Sequence, residues 1–178
     1  MISEEMLKNF DFFSNMDKEK LAEISQLSET HEYNSGDIIF NQGEKAENIY
    51  GLLDGEVELR AVFNYKTITK NIQYEESVHT MEEIIERSIK VATIGPNLIF
   101  LWSAFVKPHI ATSTAICSED SRAFVLPAYK IKEMLEKDPA FGYMFMVKLS
   151  EVIYRRLGAR TDKLVEIWGH TFDAGEID

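Results

Sequence analysis

The period of the apolar positions changes along the chain. From Ser3 to Phe13, Met6, Leu7 and Phe10 recur at helical spacing behind Ser3, a residue suited to an N-cap, which predicts a short helix. Asp17 to Leu27 predicts a second, with Asp17 as cap and Leu21, Ile24 and Leu27 on one side. From His31 the runs become short and rich in branched and aromatic residues: Asp37 to Phe40, Asn48 to Leu53, Glu56 to Phe63. Ser35-Gly36, Gln42-Gly43-Glu44 and Asp54-Gly55 separate them, and the Asp-Gly pair predicts a hairpin turn. Further strands are predicted at Lys90 to Ile94, Ala111 to Cys117 and Arg122 to Leu126. Many short strands at close spacing point to an antiparallel sandwich or roll.

The pattern then returns to helix. Ala128 to Lys137 predicts one segment, and Asp138-Pro139 starts the next, since Asp caps well and Pro is tolerated in a first turn. Ala140 to Trp168 predicts a long helix. Phe141, Phe145, Leu149, Val152, Ile153 and Leu157 form its apolar stripe, and Leu164, Val165 and Trp168 continue it past Gly158. Residues 1–168 are thus expected to form a single α+β domain, an antiparallel β-roll flanked by N-terminal helices and a long C-terminal helix. Gly169 to Asp178 is expected to be a flexible acidic tail. Tyr65 to Ser88 is longer than an ordinary hairpin loop. Val78, Met81, Ile84 and Ile85 there have helical spacing with Glu82, Glu83 and Glu86 opposite, which predicts an inserted amphipathic helix that covers part of the roll or docks a partner.

Composition narrows the function classes. The 178 residues are 45% hydrophobic and 28% charged, enough apolar material for one core. The formal net charge of −11 opposes binding to a polyphosphate backbone, so no nucleic-acid partner is expected. Cys117 is the only cysteine, which excludes an intramolecular disulfide and suits a reducing cytoplasm. The acidic N-terminus is not a signal peptide, and the longest near-apolar run, Leu98 to Val106, is too short to span a bilayer. The four histidines have no metal-ligand spacing, and no nucleophile–base set or phosphate-binding glycine loop occurs; an enzyme is not expected.

The segment Tyr33 to Val57 carries two Gly-acid pairs, Gly36-Asp37 and Gly43-Glu44, then Tyr50 and a late Gly55 before a strand. At this spacing it resembles the front half of the cyclic-nucleotide-binding domain, the superfamily of the bacterial catabolite activator protein, kinase regulatory subunits and gated channels. The front helices, the strands and the closing helices all have counterparts in that family; the Tyr65 to Ser88 insertion is the main departure. The resemblance implies a ligand-binding β-roll whose phosphate cassette follows the middle strands. In the family the cassette begins with Gly-Glu, the Glu accepting from the ribose hydroxyl, and ends with an Arg, whose planar fork meets two phosphate oxygens, before a Ser or Thr.

Here the corresponding segment is Gly95 to Ala115. Counting back from Lys107-Pro108-His109 puts the Gly-Glu pair on Ile99-Phe100; anchoring on Ser103-Ala104 puts it on Leu101-Trp102. In either register no Asp, Glu or Arg occurs between Asn97 and Ser118, and Lys107 and His109 are the only candidate cations. The remaining candidate donors are Ser103, Thr112, Ser113 and Thr114 and the loop N–H groups. Trp102, Phe100 and Phe105 either fill the cavity or line an apolar pocket. Cyclic adenosine or guanosine monophosphate is therefore expected to bind weakly, and no other cofactor is implied.

The resemblance implies a non-enzymatic small-ligand sensor or protein-interaction module. In relatives the long helix lids the pocket and pairs in a dimer, so a homodimer is expected with Phe141, Phe145, Leu149, Val152, Ile153 and Leu157 in its seam; packing of that stripe on the chain's own roll is the other reading. The alternative function is a cyclic-nucleotide-responsive transcription regulator, or a fragment of one. Such proteins follow the long helix with a winged helix-turn-helix, whereas Gly169 to Asp178 contains three acids and no Lys or Arg.

Overall fold

The computed structural model describes the backbone of residues 1–72 and 78–173, and side chains outside 67–83 and up to 169. Helices α1 (Glu4–Lys8) and α2 (Lys18–Leu27) precede strands β1 (Glu29–Tyr33), β2 (Ile38–Phe40), β3 (Asn48–Asp54), β4 (Val57–Ile72), β5 (Val78–Ile94), β6 (Ile99–Phe100), β7 (Thr114–Cys117) and β8 (Ser121–Pro127). Helices α3 (Ala128–Lys137) and α4 (Pro139–Asp173) close the chain. The strands form two antiparallel sheets, ordered β1-β8-β3-β6 and β2-β7-β4-β5, which is the expected roll with flanking helices.

Ser3 caps α1 as expected, accepting from the Met6 N–H at 3.2 Å. The helix ends at Lys8, short of the predicted Phe13. Phe10, Phe12 and Phe13 are all buried, so they cannot share one face of a surface helix, and tertiary packing overrides helical spacing. Phe10 meets Phe124 of β8 edge-on at 5.1 Å, and Phe12 meets Phe145 of α4 at 4.9 Å. These rings belong to a core between the helices and the first sheet. A second core, with Phe40, Tyr50 and Phe100, fills the space between the sheets.

Both Gly-acid pairs are turn devices. Asp37 accepts from the Asn34 N–H at 2.7 Å, and Glu44 accepts from the Asn41 N–H at 3.1 Å. Gly36 and Gly43 adopt φ of +92° and +87°. Asp54-Gly55 departs from its predicted hairpin: β3 and β4 lie in different sheets, so the pair is a crossover. Gly55 is required there twice over, by a φ of +86° and because a Cβ would collide with Asp120 and Ser121.

The inserted helix predicted within Tyr65 to Ser88 is not formed. Residues 65–72 and 78–88 are strand, paired from Val57↔Ile94 out to Ile72↔Val78 in one long hairpin. The segment is rich in β-branched residues (Thr67, Ile68, Thr69, Ile72, Val78, Thr80), which favour extended backbone and outweigh the helical spacing. The tip, 73–77, lies outside the described residues.

Asp138 does cap α4, accepting from the Phe141 N–H at 3.0 Å. The predicted seam needs correction. Phe141, Phe145 and Leu149 are buried in the chain's own core, Leu149 with 0% exposure, while Val152 and Ile153 are partly buried against it. Leu157 alone of the six is open to solvent, at 62%. The stripe begins on the domain because Phe12, Phe105 and the first sheet cover it; every side chain from Ala159 to Gly169 is exposed. Helix continues to Asp173 through the start of the predicted tail, of which 174–178 lie outside the described residues. No described helix is long and apolar enough to cross a membrane.

Candidate functional site

The candidate cassette joins β6 to β7. Leu101 leaves β6 in a left-handed conformation, φ 61°, and a short 3-10 helix, Trp102–Phe105, follows. His109 is also left-handed, at φ 61°. A left-handed non-glycine residue costs roughly 1–2 kcal/mol, so the surrounding packing imposes this path. The outer edge of the cassette is tied to the second Gly-acid turn: Gly43 donates to the Ala111 carbonyl at 2.9 Å, Ala111 to Glu44 at 2.8 Å, and Ala46 to His109 at 2.8 Å. These pairings shorten the predicted Ala111 to Cys117 strand to Thr114–Cys117.

The predicted site residues separate into groups. Ile99 and Phe100 are buried core, with Phe100 stacked on Tyr50 at 5.3 Å. Ala104 is buried against Ala46 and Ala128. Lys107 is exposed, and Thr114 is occupied as an acceptor for the Gln42 N–H at 3.0 Å. His109 places Nδ1 3.4 Å from the Ser103 carbonyl. Leu101, Trp102, Ser103, Thr112 and Ser113 do come together, around a cavity of about 20 Å³ backed by Phe40 and Leu59. That is room for about one water molecule. Trp102 also packs against the helix-side core, and the Phe40, Tyr50 and Phe100 rings fill the roll beneath.

Two arginines on this cavity have no counterpart among the residues read from the cassette. Arg156 and Arg160 reach it from α4. They continue the core-facing stripe: positions 149 and 152 are Leu and Val, and one and two turns later the same face carries Arg. That break in an apolar stripe is the signal that would have found them. Arg156 donates from Nη2 to the Ile99 carbonyl at 3.2 Å. Burial, and then the neighbouring Arg160 charge, pull its pKa down to about 10. The only cysteine, Cys117, is buried, and burial pushes its thiol pKa up, as for a core residue rather than a nucleophile. Among the described residues no group of His, Cys, Asp and Glu could hold a metal ion.

No protein-family model matches the chain, and no curated protein matches it. Among solved structures it is similar to a protein of Geobacter metallireducens GS-15 named for cyclic-nucleotide binding, at 27% identity and a TM-score of 0.67, over 88% of this chain and 99% of that one. It shares its fold with a cyclic nucleotide-binding domain from Methylobacillus flagellatus KT, at 14% identity and a TM-score of 0.64, over 91% of this chain and 80% of that one. It also shares the fold of the sensor domain of the transcriptional regulator DNR from Pseudomonas aeruginosa, at 18% identity and a TM-score of 0.61, over 87% and 91% of the two chains.

Proposed function

This chain has the fold of the cyclic-nucleotide-binding superfamily, and from that premise we propose that it is a non-enzymatic sensor module for a small ligand other than a standard cyclic nucleotide. The observation that carries this reading is the closed cassette. Its cavity of about 20 Å³ is far below the roughly 300 Å³ at which ligand sites begin. A nucleotide would have to displace Trp102 or α4 to enter. It would then meet neither the acid that clamps a ribose nor a cassette Arg. Losing a charged contact in a sheltered site costs about 2–5 kcal/mol, a factor of tens to thousands in affinity.

Signal output in this reading runs through α4, which touches both the cassette and the helix-side core before extending away from the body. A homodimer through α4 belongs to the same reading, with its seam on the exposed distal stretch that carries Leu157, Leu164, Val165 and Trp168. A cytoplasmic setting goes with the single buried thiol. The second reading, the sensing part of a transcription regulator, is favoured by likeness to the Pseudomonas sensor domain. Isothermal titration with cyclic adenosine and guanosine monophosphate tests the first reading. Dissociation constants no tighter than the high-micromolar range are expected; a sub-micromolar constant for either would overturn it.

A further inference from the structure

A larger cavity, about 340 Å³, lies on the other side of the α4 arginines, between β5 and α4. Val91 and Ala92 of β5, Leu98, and Val152 of α4 give it apolar walls, and Arg155, Arg156 and Arg160 stand at its edge. The three cations are not equivalent. Arg155 is neutralised by Asp11, with Nη2 2.9 Å from the carboxylate. Arg156 has only the Ile99 carbonyl, and Arg160 makes no ion pair or hydrogen bond with any described residue.

Two cations one helical turn apart repel, and partial burial adds a desolvation penalty. Both effects are felt at Arg156, whose pKa is lowered by burial and by Arg160. In a protein of net charge −11, carboxylates are abundant, yet among the described residues none lines the cleft. Guanidinium groups held without a carboxylate beside an apolar cavity fit a ligand that brings the missing charge.

We propose that the cleft between β5 and α4 binds a small amphipathic organic anion, its carboxylate or phosphate head on Arg156 and Arg160 and its apolar body against Val91, Ala92, Leu98 and Val152. The volume is within the range of small-molecule sites. The cleft shares Arg156 and Arg160 with the cassette cavity, but its apolar walls, Val91, Ala92, Leu98 and Val152, are its own. Where the sensor reading is right, this cleft is its input, because an occupant would bridge the roll and α4.

The experiment is calorimetric titration of the full chain with octanoate and with phenyl phosphate. Octanamide serves as a neutral control and inorganic phosphate as a head-only control. At least one of the two anions should bind, and which one does identifies the head group. Octanamide and inorganic phosphate should bind at least about tenfold more weakly. Arg160→Gln, an exposed position, should weaken the anion about tenfold or more, and Ala159→Phe, which fills the cleft, should abolish binding. Circular dichroism of both variants should match the wild type. No binding of either anion, or binding unchanged in both variants, overturns the proposal. Octanamide binding as tightly as octanoate overturns the role of the arginines. Cyclic adenosine monophosphate, titrated into a separate ligand-free sample, reports on the cassette: tight nucleotide binding would sink the sensor reading, while anion binding that is lost in both variants would leave this one standing.

Discussion

Arg156 of α4 donates to the carbonyl of Ile99, the residue that opens β6, across 57 positions of sequence. The long helix is thereby tied to the strand that feeds the cassette. The tie is made by a cation held beside a second cation, Arg160, which adds no described bond of its own. Arg160→Gln should therefore stabilise the ligand-free protein by about 0.5 kcal/mol, the scale of an i, i+4 like-charge pair on a helix. Raising ionic strength should narrow the gap between variant and wild type as the repulsion is screened. Urea unfolding at low and high salt checks both. A lower midpoint for the variant would show that Arg160 supports the fold.

Asp138 couples the start of α4 to α2. Its carboxylate accepts from the Phe141 N–H and lies 3.3 Å from Lys20 Nζ. The Phe141 hydrogen bond first, then the Lys20 contact, hold its pKa below the ordinary carboxylate value. A depressed native pKa means that the stabilisation is complete above the unfolded value, about 4, and is lost as pH falls through the native value. Wild type should thus lose stability between about pH 5 and pH 2 more steeply than Asp138→Asn, which keeps a capping oxygen but does not titrate. Thermal unfolding across that range would measure it. Parallel pH profiles would remove Asp138 as a source of acid sensitivity.

Two glycines of α4 should respond oppositely to the same substitution. A Cβ on Gly158 meets nothing within 4 Å, and one on Gly142 would stand 3.0 Å from the Leu135 carbonyl of α3. Gly158→Ala should stabilise by about 0.5–1 kcal/mol through a less flexible unfolded chain. Gly142→Ala should cost about 1 kcal/mol or more, because α3 and α4 are in contact there. Chemical denaturation of the two single variants gives the sign of each. Stabilisation by Gly142→Ala would mean that α3 can yield at Leu135.

Much of this fold can be read from local rules, because its turns use local chemistry. Asp37, Glu44 and Asp138 each accept an N–H three residues away, and Gly36 and Gly43 supply positive φ beside two of them. What escapes is what depends on partners distant in sequence. Asp54-Gly55 has the composition of a hairpin turn, but the pairing of β3 with β8 and of β4 with β7 makes it a crossover. Val78 to Ile85 has both helical spacing and branched side chains, and pairing with β4 decides for strand. The lack of acid and Arg in the candidate cassette segment is a property of the sequence itself. The two arginines that line the cavity could not be placed there from sequence, since Arg156 and Arg160 follow Ser118 by several elements and reach it only through the packing of α4.

The long helix divides into a half that serves the domain and a half that does not, and charge substitutions should separate them. Phe145 lies 4.9 Å from Phe12 and 5.0 Å from Phe105, and Leu149 is fully buried beside them. Leu149→Asp places an unpaired carboxylate in that core and should cost roughly 4 kcal/mol or more, enough to unfold an ordinary domain. Leu157 and Val165, each 62% exposed, have no such role in the monomer fold. If α4 pairs with a second copy, Leu157→Asp and Val165→Asp together put like charges into the seam and should yield folded monomers. Sedimentation velocity and circular dichroism, run side by side, distinguish the outcomes. Loss of structure is expected for Leu149→Asp, and a shift from dimer to monomer with unchanged helix content for the double variant. A wild type that is monomeric at tens of micromolar, or a double variant that stays dimeric, would refute the distal seam.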